Sequence, residues 1–431
     1  MASYKLIIKH FLIYSTGAII LRIIMALSLL ITVRFVTPDQ FGILALLNNL
    51  MIFLPILLGL GLRQVLAIEF FNHKNSWQLV LDLLLIYLLF ALPTTLLLVW
   101  QTNWLNTVLF FNQLDCNLII LVIITSALTF LPELLFQLLR FQNKAFLLTS
   151  LQIGMGLLLA SSTTYFVYNC RLGITGAIWA QFMTQVAMSS LFLYLAYQNR
   201  SCFKLPNPTT IITYLKTGLP FVPNILFAWL IMACNRWLLN WHLTLTDVGI
   251  YSLAENISLI FQTLVTQPLM HSYLPYAFQN FTTHHINIAT LDRQYNYFAY
   301  CFILFFSLLI PIGLTAIKPI LALVLTDKYL TTIPLLIPLL MAQIVFAATY
   351  ITSASLQYLK KTYLLALFMG FSAIISIALN LWLMPRYGVY SCLIATNLAY
   401  LFYFGATLGL KHWLLARLVP SSDTNQLHRQ T

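Results

Sequence analysis

Long apolar stretches alternate with short polar segments along the whole chain. Because a helix needs about 20 mainly apolar residues to cross a bilayer, each such stretch predicts one membrane-spanning helix. Twelve stretches qualify, and the loops between them are too short for an extramembrane domain. The predicted spans cover residues 10–33, 41–65, 79–100, 116–139, 145–168, 174–197, 214–240, 247–271, 294–317, 332–354, 362–385 and 389–413.

The composition agrees with this pattern. Of the 431 residues, 61% are hydrophobic and 7% are charged, whereas about 25% of the residues of a soluble protein carry a charge. So few charges exclude a soluble enzyme, a secreted disulfide scaffold and a disordered tail. The six cysteines are scattered without a C-x-x-C pair, so neither a disulfide framework nor a metal site is predicted. The fold class that remains is an all-α polytopic membrane protein.

Basic residues predict the orientation of the spans. If the N-terminus is placed inside, 15 of the 22 Lys and Arg residues fall on the cytoplasmic side and Arg22 and Arg236 lie within spans. The opposite side holds Arg34, Arg171, Lys318, Lys328 and Arg386. Cytoplasmic loops are enriched in Lys and Arg, so both termini are predicted to be cytoplasmic. These loops, with basic residues that face an anionic substrate, account for the net charge of +12.

The sequence repeats weakly at an offset near half its length. The matches pair residues 37–49 with 244–256, Arg171-Leu-Gly-Ile174 with Arg386-Tyr-Gly-Val389, and Lys144-Ala-Phe-Leu-Leu148 with Lys361-Thr-Tyr-Leu-Leu365. Three matches in the same order predict two six-helix halves. Since six is even, both halves have the same orientation and should be related by a pseudo-two-fold axis along the membrane normal, with the substrate site between them. The predicted organisation is an N-terminal lobe (1–200), a cytoplasmic linker (201–213), a C-terminal lobe (214–415) and a cytoplasmic tail (416–431).

Charged residues inside the predicted spans are candidate functional positions, because a charge at the bilayer centre costs about 2.5–3.5 kcal/mol on insertion scales. Arg22 lies near the middle of the first span, and Arg236 lies toward the outer end of the seventh. Glu133 and Glu255 lie within the fourth and eighth spans. A membrane arginine requires an aqueous or anionic partner, and its planar fork suits a phosphate. Arg22 and Arg236 are therefore predicted to face a substrate cavity.

Each of these candidates has a structural alternative. Arg236 and Glu255 lie at nearly equal depth on either side of a short hairpin, so a buried pair competes with the cavity role of Arg236. Glu133 and Glu255 are interpreted as ion-coupling or counter-charge residues, with a structural ion pair or a protonated carboxyl as the alternatives. No catalytic motif and no cluster of metal ligands occurs in the sequence. No catalytic residue, cofactor or metal is predicted, and the chain is expected not to be an enzyme.

Polar side chains recur at helical spacing on four of the predicted spans. They are Tyr251, Glu255, Ser258, Gln262 and Thr266 on the eighth; Thr125, Thr129, Glu133 and Gln137 on the fourth; Gln343, Tyr350, Ser353 and Gln357 on the tenth; and Ser372, Ser376 and Asn380 on the eleventh. Such stripes predict a hydrated cavity that accommodates sugars, with Tyr251 and Gln262 among the substrate-binding residues. Helix packing is the alternative at the Ser and Thr positions, because small polar residues join membrane helices by hydrogen bonds of about 0.6 kcal/mol each.

Five segments carry a family resemblance that spans nearly the whole chain. They are residues 34–46, which read R-F-V-T-P-D-Q-F-G-I-L-A-L, then 214–223, 235–239, 248–254 and 387–389. With these segments the chain resembles the polysaccharide transporter family, the flippases of O-antigen and other repeat units. That family belongs to the multidrug, oligosaccharidyl-lipid and polysaccharide exporter superfamily.

The resemblance implies a V-shaped, twelve-helix transporter in the bacterial inner membrane. Such a protein moves a polyprenyl-diphosphate-linked oligosaccharide from the cytoplasmic to the periplasmic leaflet by alternating access. Family members carry cationic cavity residues near the diphosphate, which implies this role for Arg22 and Arg236 and substrate contact for the adjacent Asn235. Glu255 departs from the pattern, because a basic or neutral residue is more common there, and its implied roles are counter-charge to Arg236 or proton coupling.

The implied partners are the lipid-linked oligosaccharide and membrane lipid, with polysaccharide polymerase and chain-length machinery as further partners and no nucleic acid. Two other functions stay open from the sequence. One is a cation-coupled multidrug exporter of the same superfamily, for which a more acidic and aromatic cavity would be expected. The other is a non-transporting membrane scaffold for a polymer-assembly complex.

Overall fold

The computed structural model of the protein describes residues 2–70, 75–142, 144–200, 205–266, 273, 277, 288–325, 327–358 and 361–418. Within these ranges, only the backbone is described for residues 2–15, 224, 228, 231–232, 288–290, 317, 320–324, 358, 362 and 415–418. The described chain is helical and contains no strand. Residues 201–204 of the predicted linker and 419–431 of the predicted tail lie outside the described residues.

The chain divides into two compact units, Met1–Trp229 and Leu230–Thr431. The first unit contains α1 (Ala2–Phe35), α2 (Pro38–Leu58), α3 (Leu62–Glu69), α4 (Ser76–Trp100), α5 (Thr102–Phe110), α6 (Cys116–Phe141), α7 (Ala145–Thr164), a π-helical turn (Tyr165–Asn169), α8 (Gly173–Gln198) and α9 (Pro208–Gly218). Helix α10 (Phe221–His242) begins in the first unit and continues into the second. The second unit also contains α11 (Leu245–Phe261), a π-helical turn (Gln262–Thr266), α12 (Ile288–Val324), a 3-10 turn (Asp327–Thr332), α13 (Ile333–Thr352), α14 (Ala354–Tyr358), α15 (Thr362–Tyr387) and α16 (Tyr390–Leu418).

Eleven helices among the described residues are long and apolar enough to cross a membrane, and they coincide with eleven of the predicted spans. The remaining predicted span, 214–240, falls on α10, whose 22 residues extend about 33 Å at a rise of 1.5 Å per residue. Helices are the expected elements, because every backbone N–H and C=O in lipid must be bonded within its own segment. The protein is an all-α polytopic membrane protein, and the predicted fold class is confirmed.

The first internal match marks a helix start that is built in the same way in both units. Before α2, the Thr37 hydroxyl accepts a hydrogen bond from the Gln40 amide, and the Gln40 side chain accepts one from the Thr37 amide. Thr244 and Asp247 form the same reciprocal pair before α11. A capping box of this kind satisfies amides that have no partner at a helix N-terminus. The repeated sequence therefore encodes a repeated helix start.

The other two matches also correspond to the same local structure in each unit. Lys144 occupies the N-cap position of α7, and Lys361 occupies the N-cap position of α15. Gly173 has a φ of +56° and Gly388 has a φ of +52°, a region of backbone space that favours glycine. All three matches thus reflect shared local backbone geometry.

Helix α2 ends at Leu58 and not at residue 65, because the chain then enters a left-handed turn. Leu60 and Gly61 have φ angles of 47° and 71°, which a right-handed helix does not contain, and α3 starts at Leu62. A Cβ at position 61 would collide with the backbone carbonyl of Gly218 in α9. The turn therefore needs glycine both for its backbone angle and for this close approach.

The predicted seventh span is also interrupted near its start. Helix α9 ends at Gly218 and α10 begins at Phe221. Pro220 lies in this gap, and its ring removes the N–H that a continuous helix would need at that position. Residue 214, where the predicted span begins, therefore belongs to the separate helix α9.

Each unit has its own packed interior. In the first unit, α6 packs against α2, α4 and α8, and the rings of Tyr87 and Phe130 stack with centroids 3.9 Å apart. The Tyr87 hydroxyl donates to the Ala127 carbonyl at 2.6 Å, so its polar end is satisfied inside the unit. The second unit contains a buried cluster of Ala342, Phe346, Ala373 and Tyr400 on α13, α15 and α16.

Candidate functional site

Arg236 and Glu255 form a buried ion pair in the second unit. The short turn between α10 and α11 brings the two side chains together. Glu255 Oε2 lies 2.7 Å from Arg236 Nη2 and 2.8 Å from Arg236 Nε. The side chains are only 9% and 13% exposed, respectively. The sequence raised this pair as the alternative to a cavity role for Arg236, and the structure contains it.

Asn235 lies at the centre of a hydrogen-bonded cluster in the same unit. Its Nδ2 donates to Tyr251 Oη at 2.8 Å and to Thr396 Oγ1 at 3.0 Å. Its Oδ1 accepts from Asn380 Nδ2 at 2.9 Å. These bonds join α10, α11, α15 and α16, and Tyr251 and Asn380 are fully buried. Asn235 and Tyr251 hold helices together here, and their contact with sugar stays a prediction.

The rest of the α11 stripe is largely buried within the second unit. Ser258 is fully buried and donates to the Glu255 carbonyl at 2.8 Å. Gln262 is half-buried at the start of the π-helical turn, and Thr266 at the end of that turn is buried. This local bond satisfies the Ser258 hydroxyl without a cavity. The contact of Gln262 with sugar stays a prediction.

Arg22 of α1 is half-buried in the first unit. Helix α1 packs against α7, where the absence of a side chain at Gly156 lets Leu21 approach closely. Small residues of this kind are typical of contacts between membrane helices. Within the described part of the chain, no carboxylate or hydrogen-bond acceptor pairs with the Arg22 guanidinium.

Glu133 is also paired, with a residue that the sequence interpretation placed at the cytoplasmic end of the second predicted span. Arg63 on the first turn of α3 reaches α6, where its Nη1 lies 2.5 Å from Glu133 Oε2. One turn further along α6, Gln137 Nε2 donates to the Arg63 carbonyl at 2.8 Å. The side chains of Arg63 and Glu133 are 44% and 33% exposed. The alternative of a structural ion pair for Glu133 is thus present, in a partly open setting.

Two cavities adjoin this ion pair within the first unit. The first, of about 260 Å³, is lined mainly by apolar residues of α2 and α6, including Met51, Ile52, Pro55, Ile56 and Phe130. The second, of about 240 Å³, is lined by Gln137, Arg140, Gln152 and Phe136 beside the pair. Arg63, Gln64 and Glu133 line both cavities. We call the first the apolar chamber and the second the polar chamber.

A third ion pair lies in the second unit and is completely buried. Lys411 of α16 is 0% exposed, and its Nζ lies 3.2 Å from Asp292 Oδ1 and 3.0 Å from the Thr352 carbonyl. It also donates to Asn296 Oδ1. The sequence interpretation counted Lys411 among the cytoplasmic basic residues, whereas the structure has it inside the helix packing of α12, α13 and α16.

The sequence interpretation missed Arg63, Arg140 and Lys411 as members of polar clusters. A signal for the first cluster was available, because Glu133 and Gln137 end a polar stripe on α6 with spacing i, i+4. Their partner is 70 residues away in sequence, so no local pattern identifies it. Among the described residues, no group of three His, Cys, Asp or Glu side chains is placed to hold a metal ion.

Comparisons with known proteins agree with this architecture. A family model for polysaccharide biosynthesis proteins matches residues 7–281, which is more than half of the chain. A comparison with curated protein sequences finds no match.

Solved structures share the fold at low sequence identity. One is an inward-facing multidrug resistance transporter of the MATE family in the MOP superfamily, with a TM-score of 0.74 and 14% identity over 92% of this chain and 95% of that one. Another is the lipid II flippase MurJ in an inward closed conformation, with a TM-score of 0.72 and 14% identity over 93% of this chain and 87% of that one. At such identities the likeness shows the fold alone.

Proposed function

Because the chain belongs to the family of polysaccharide biosynthesis proteins, we propose that it is a flippase for a polyprenyl-diphosphate-linked oligosaccharide. The cargo is an O-antigen or another surface-polysaccharide repeat unit, carried from the cytoplasmic to the periplasmic leaflet by alternating access. The membrane is the bacterial inner membrane, with both termini in the cytoplasm. The fold shared with the lipid II flippase, which by its name moves a lipid, supports this proposal.

At the level of residues, the observation that carries the proposal is that Arg22 has no counter-charge among the described residues. It is a cation inside a predicted span, and no described carboxylate neutralises it. An arginine at this depth is expensive unless an aqueous or anionic partner is present. A diphosphate supplies that partner, because its oxygens accept paired hydrogen bonds from the guanidinium fork.

Arg236 has a different role from Arg22 in the proposed function. Its guanidinium is already held by Glu255 in a buried setting, so a substrate phosphate has to compete with a carboxylate for it. We therefore give Glu255 the counter-charge role and keep Arg236 as a second cation that contacts the diphosphate only in a conformation in which this pair opens. Ion coupling by Glu255 or Glu133 belongs to the same proposal.

The test is complementation of surface-polymer synthesis in a strain that lacks the gene. Arg22→Ala should abolish polymer display at normal protein abundance, and Arg22→Lys should restore part of it, since the charge returns without the paired geometry. Arg34→Ala is the matched control, because Arg34 is an exposed arginine at the end of the same helix.

Full polymer display by Arg22→Ala would overturn the role of Arg22. Loss of the gene that leaves surface polymer intact but sensitises the cells to cationic drugs would overturn the flippase assignment in favour of multidrug export. A polymerase and chain-length machinery are the proposed partners that act on the flipped product.

A further inference from the structure

The two chambers of the first unit together have the shape and chemistry of a site for an amphiphile. The apolar chamber is lined by Met51, Ile52, Pro55 and Ile56 of α2, and the polar chamber holds Gln137 and other hydrogen-bonding side chains. Both chambers share the Arg63–Glu133 pair as a common wall. A ligand with a hydrocarbon chain and a charged end fits such a pair of spaces, whereas a purely polar solute fits one of them.

The two chambers lie at different depths along α6, which is a predicted membrane-spanning helix. Thr129 lines the apolar chamber and Arg140 lines the polar one, and the two are separated by about 16 Å along α6 at 1.5 Å per residue. Arg140 lies in the last turn of α6, on the side predicted to be cytoplasmic, and Thr129 lies deeper in the predicted span. A lipid with its head group at the cytoplasmic surface has this orientation.

The charges of the polar chamber favour an anion. Arg63 and Arg140 are opposed by Glu133 as the one carboxylate among the residues that line it. Arg140, Gln64 and Gln152 all line this chamber, and none makes a side-chain hydrogen bond with another described residue. Two guanidinium groups and amide donors are the groups that recognise phosphate oxygens.

The Arg63–Glu133 pair can exchange its carboxylate for a phosphate. Ion pairs that are this exposed contribute little to stability, so replacing Glu133 by another anion costs little. The Arg63 backbone stays in place during such an exchange, because Gln137 holds its carbonyl. The buried Arg236–Glu255 pair cannot exchange its carboxylate as easily, since separating buried charges is costly.

From this geometry we propose that the two chambers form an entry site for the polyprenyl diphosphate part of the substrate. The diphosphate binds Arg63 and Arg140 and displaces Glu133, and the first isoprene units occupy the apolar chamber. This inference rests on the proposed function and adds Arg63 and Arg140 to the residues assigned to the substrate.

The test is an equilibrium binding measurement on the purified full-length protein in detergent, with thermophoresis as the readout. The probes are a polyprenyl diphosphate, inorganic diphosphate as the head group alone, the polyprenol as the chain alone, and phosphatidic acid as another phosphate-bearing lipid. The polyprenyl diphosphate should bind at least about tenfold more tightly than each of the other three. Equal binding of inorganic diphosphate would overturn the two-chamber site, and equal binding of phosphatidic acid would overturn the assignment to the substrate.

Variants locate the site. Arg63→Gln combined with Arg140→Gln should weaken binding of polyprenyl diphosphate by about tenfold or more. Glu133→Gln should tighten it by about two- to fivefold, because the competing carboxylate is gone, a gain that a merely structural role would not produce. Arg34→Gln removes a remote arginine and should leave the affinity unchanged.

Weaker or unchanged binding by Glu133→Gln would overturn the exchange. Unchanged binding by the exposed single variant Arg140→Gln would overturn the head-group site, even if the double variant fails to fold. Failure of this site and failure of the proposed function are distinguishable. A wild-type protein that binds the lipid but does not translocate a lipid-linked sugar overturns the function alone, and a double variant with wild-type binding overturns the site alone.

Discussion

The two units contain ion pairs of the same chemistry in opposite surroundings. In the first unit, Arg63 and Glu133 meet at 2.5 Å with side chains that are 44% and 33% exposed. In the second unit, Arg236 and Glu255 meet at 2.7 Å with side chains that are 9% and 13% exposed. The distances are nearly equal, so the difference between the pairs is their burial.

Burial decides what each pair can do. An exposed pair contributes about 0–1 kcal/mol, which is small compared with the free energy that a phosphate gains from two guanidinium groups. Breaking a buried pair by removing one partner costs about 3–5 kcal/mol, because the other charge is left uncompensated. The exposed Arg63–Glu133 pair of the first unit can therefore open to bind a ligand. The buried Arg236–Glu255 pair of the second unit stabilises the packing of its helices.

The largest expected effect is at the most deeply buried pair. Lys411→Met leaves Asp292 as an uncompensated charge among packed helices, and should lower the free energy of unfolding by about 3–5 kcal/mol. Denaturant unfolding in detergent micelles measures this loss. The double variant with Asp292→Asn should recover part of it, since no buried charge then remains.

Lys318→Met is the matched control for this experiment, because Lys318 is exposed on the same helix as Asp292. Its stability should stay close to that of the wild type. A loss below about 1 kcal/mol in Lys411→Met would show that the pair behaves like an exposed one, and the contrast between the two units would not hold.

The next-largest effect is expected when a paired glutamate is replaced by glutamine in each unit. Glu255→Gln should destabilise the protein by about 2–3 kcal/mol, since the amide keeps an acceptor for Arg236 but not the charge. Glu133→Gln should change stability by less than about 1 kcal/mol. Thermal unfolding of the two variants side by side measures the difference, and equal losses would contradict the assignment of the two pairs.

A smaller effect concerns the turn that presents Arg63. Gly61→Ala places a Cβ at a φ of +71° and against the Gly218 carbonyl, which should cost about 2 kcal/mol. Gly154→Ala in α7 is the matched control, because its Cβ would meet nothing within 4 Å, and it should be neutral or slightly stabilising. Equal stability of the two variants would show that the turn tolerates a side chain.

Most of the fold could be predicted from the sequence, because the length of an apolar run is a direct physical requirement of the bilayer. The exceptions are helix ends within apolar sequence. Residues 59–62 read G-L-G-L, so hydropathy continues through a turn that only the backbone angles of Leu60 and Gly61 reveal. The short helices α3, α5 and α9 were missed for a related reason, since none is long enough to span.

The candidate sites were less predictable, because pairing depends on which helices pack together. Arg236 and Glu255 could be paired in advance, since one short hairpin fixes their relative depth. Arg63 and Glu133 are separated by 70 positions and lie on helices that meet only in the folded unit. Lys411 lies near the end of the last predicted span, so the sequence predicted that its side chain is exposed to solvent. The local sequence contains no pattern that predicts the packing of α12 and α13 around it.

Reconstitution tests most directly whether the protein moves a lipid-linked sugar across the membrane, as we propose. Purified protein in vesicles is supplied with a fluorescent polyprenyl-diphosphate-linked oligosaccharide, and its transfer between leaflets is followed by quenching from outside. We expect transfer with the wild-type protein, little or none with Arg22→Ala, and normal transfer with Arg34→Ala. A wild-type rate equal to that of protein-free vesicles, with and without an imposed ion gradient, would contradict the proposed flippase function.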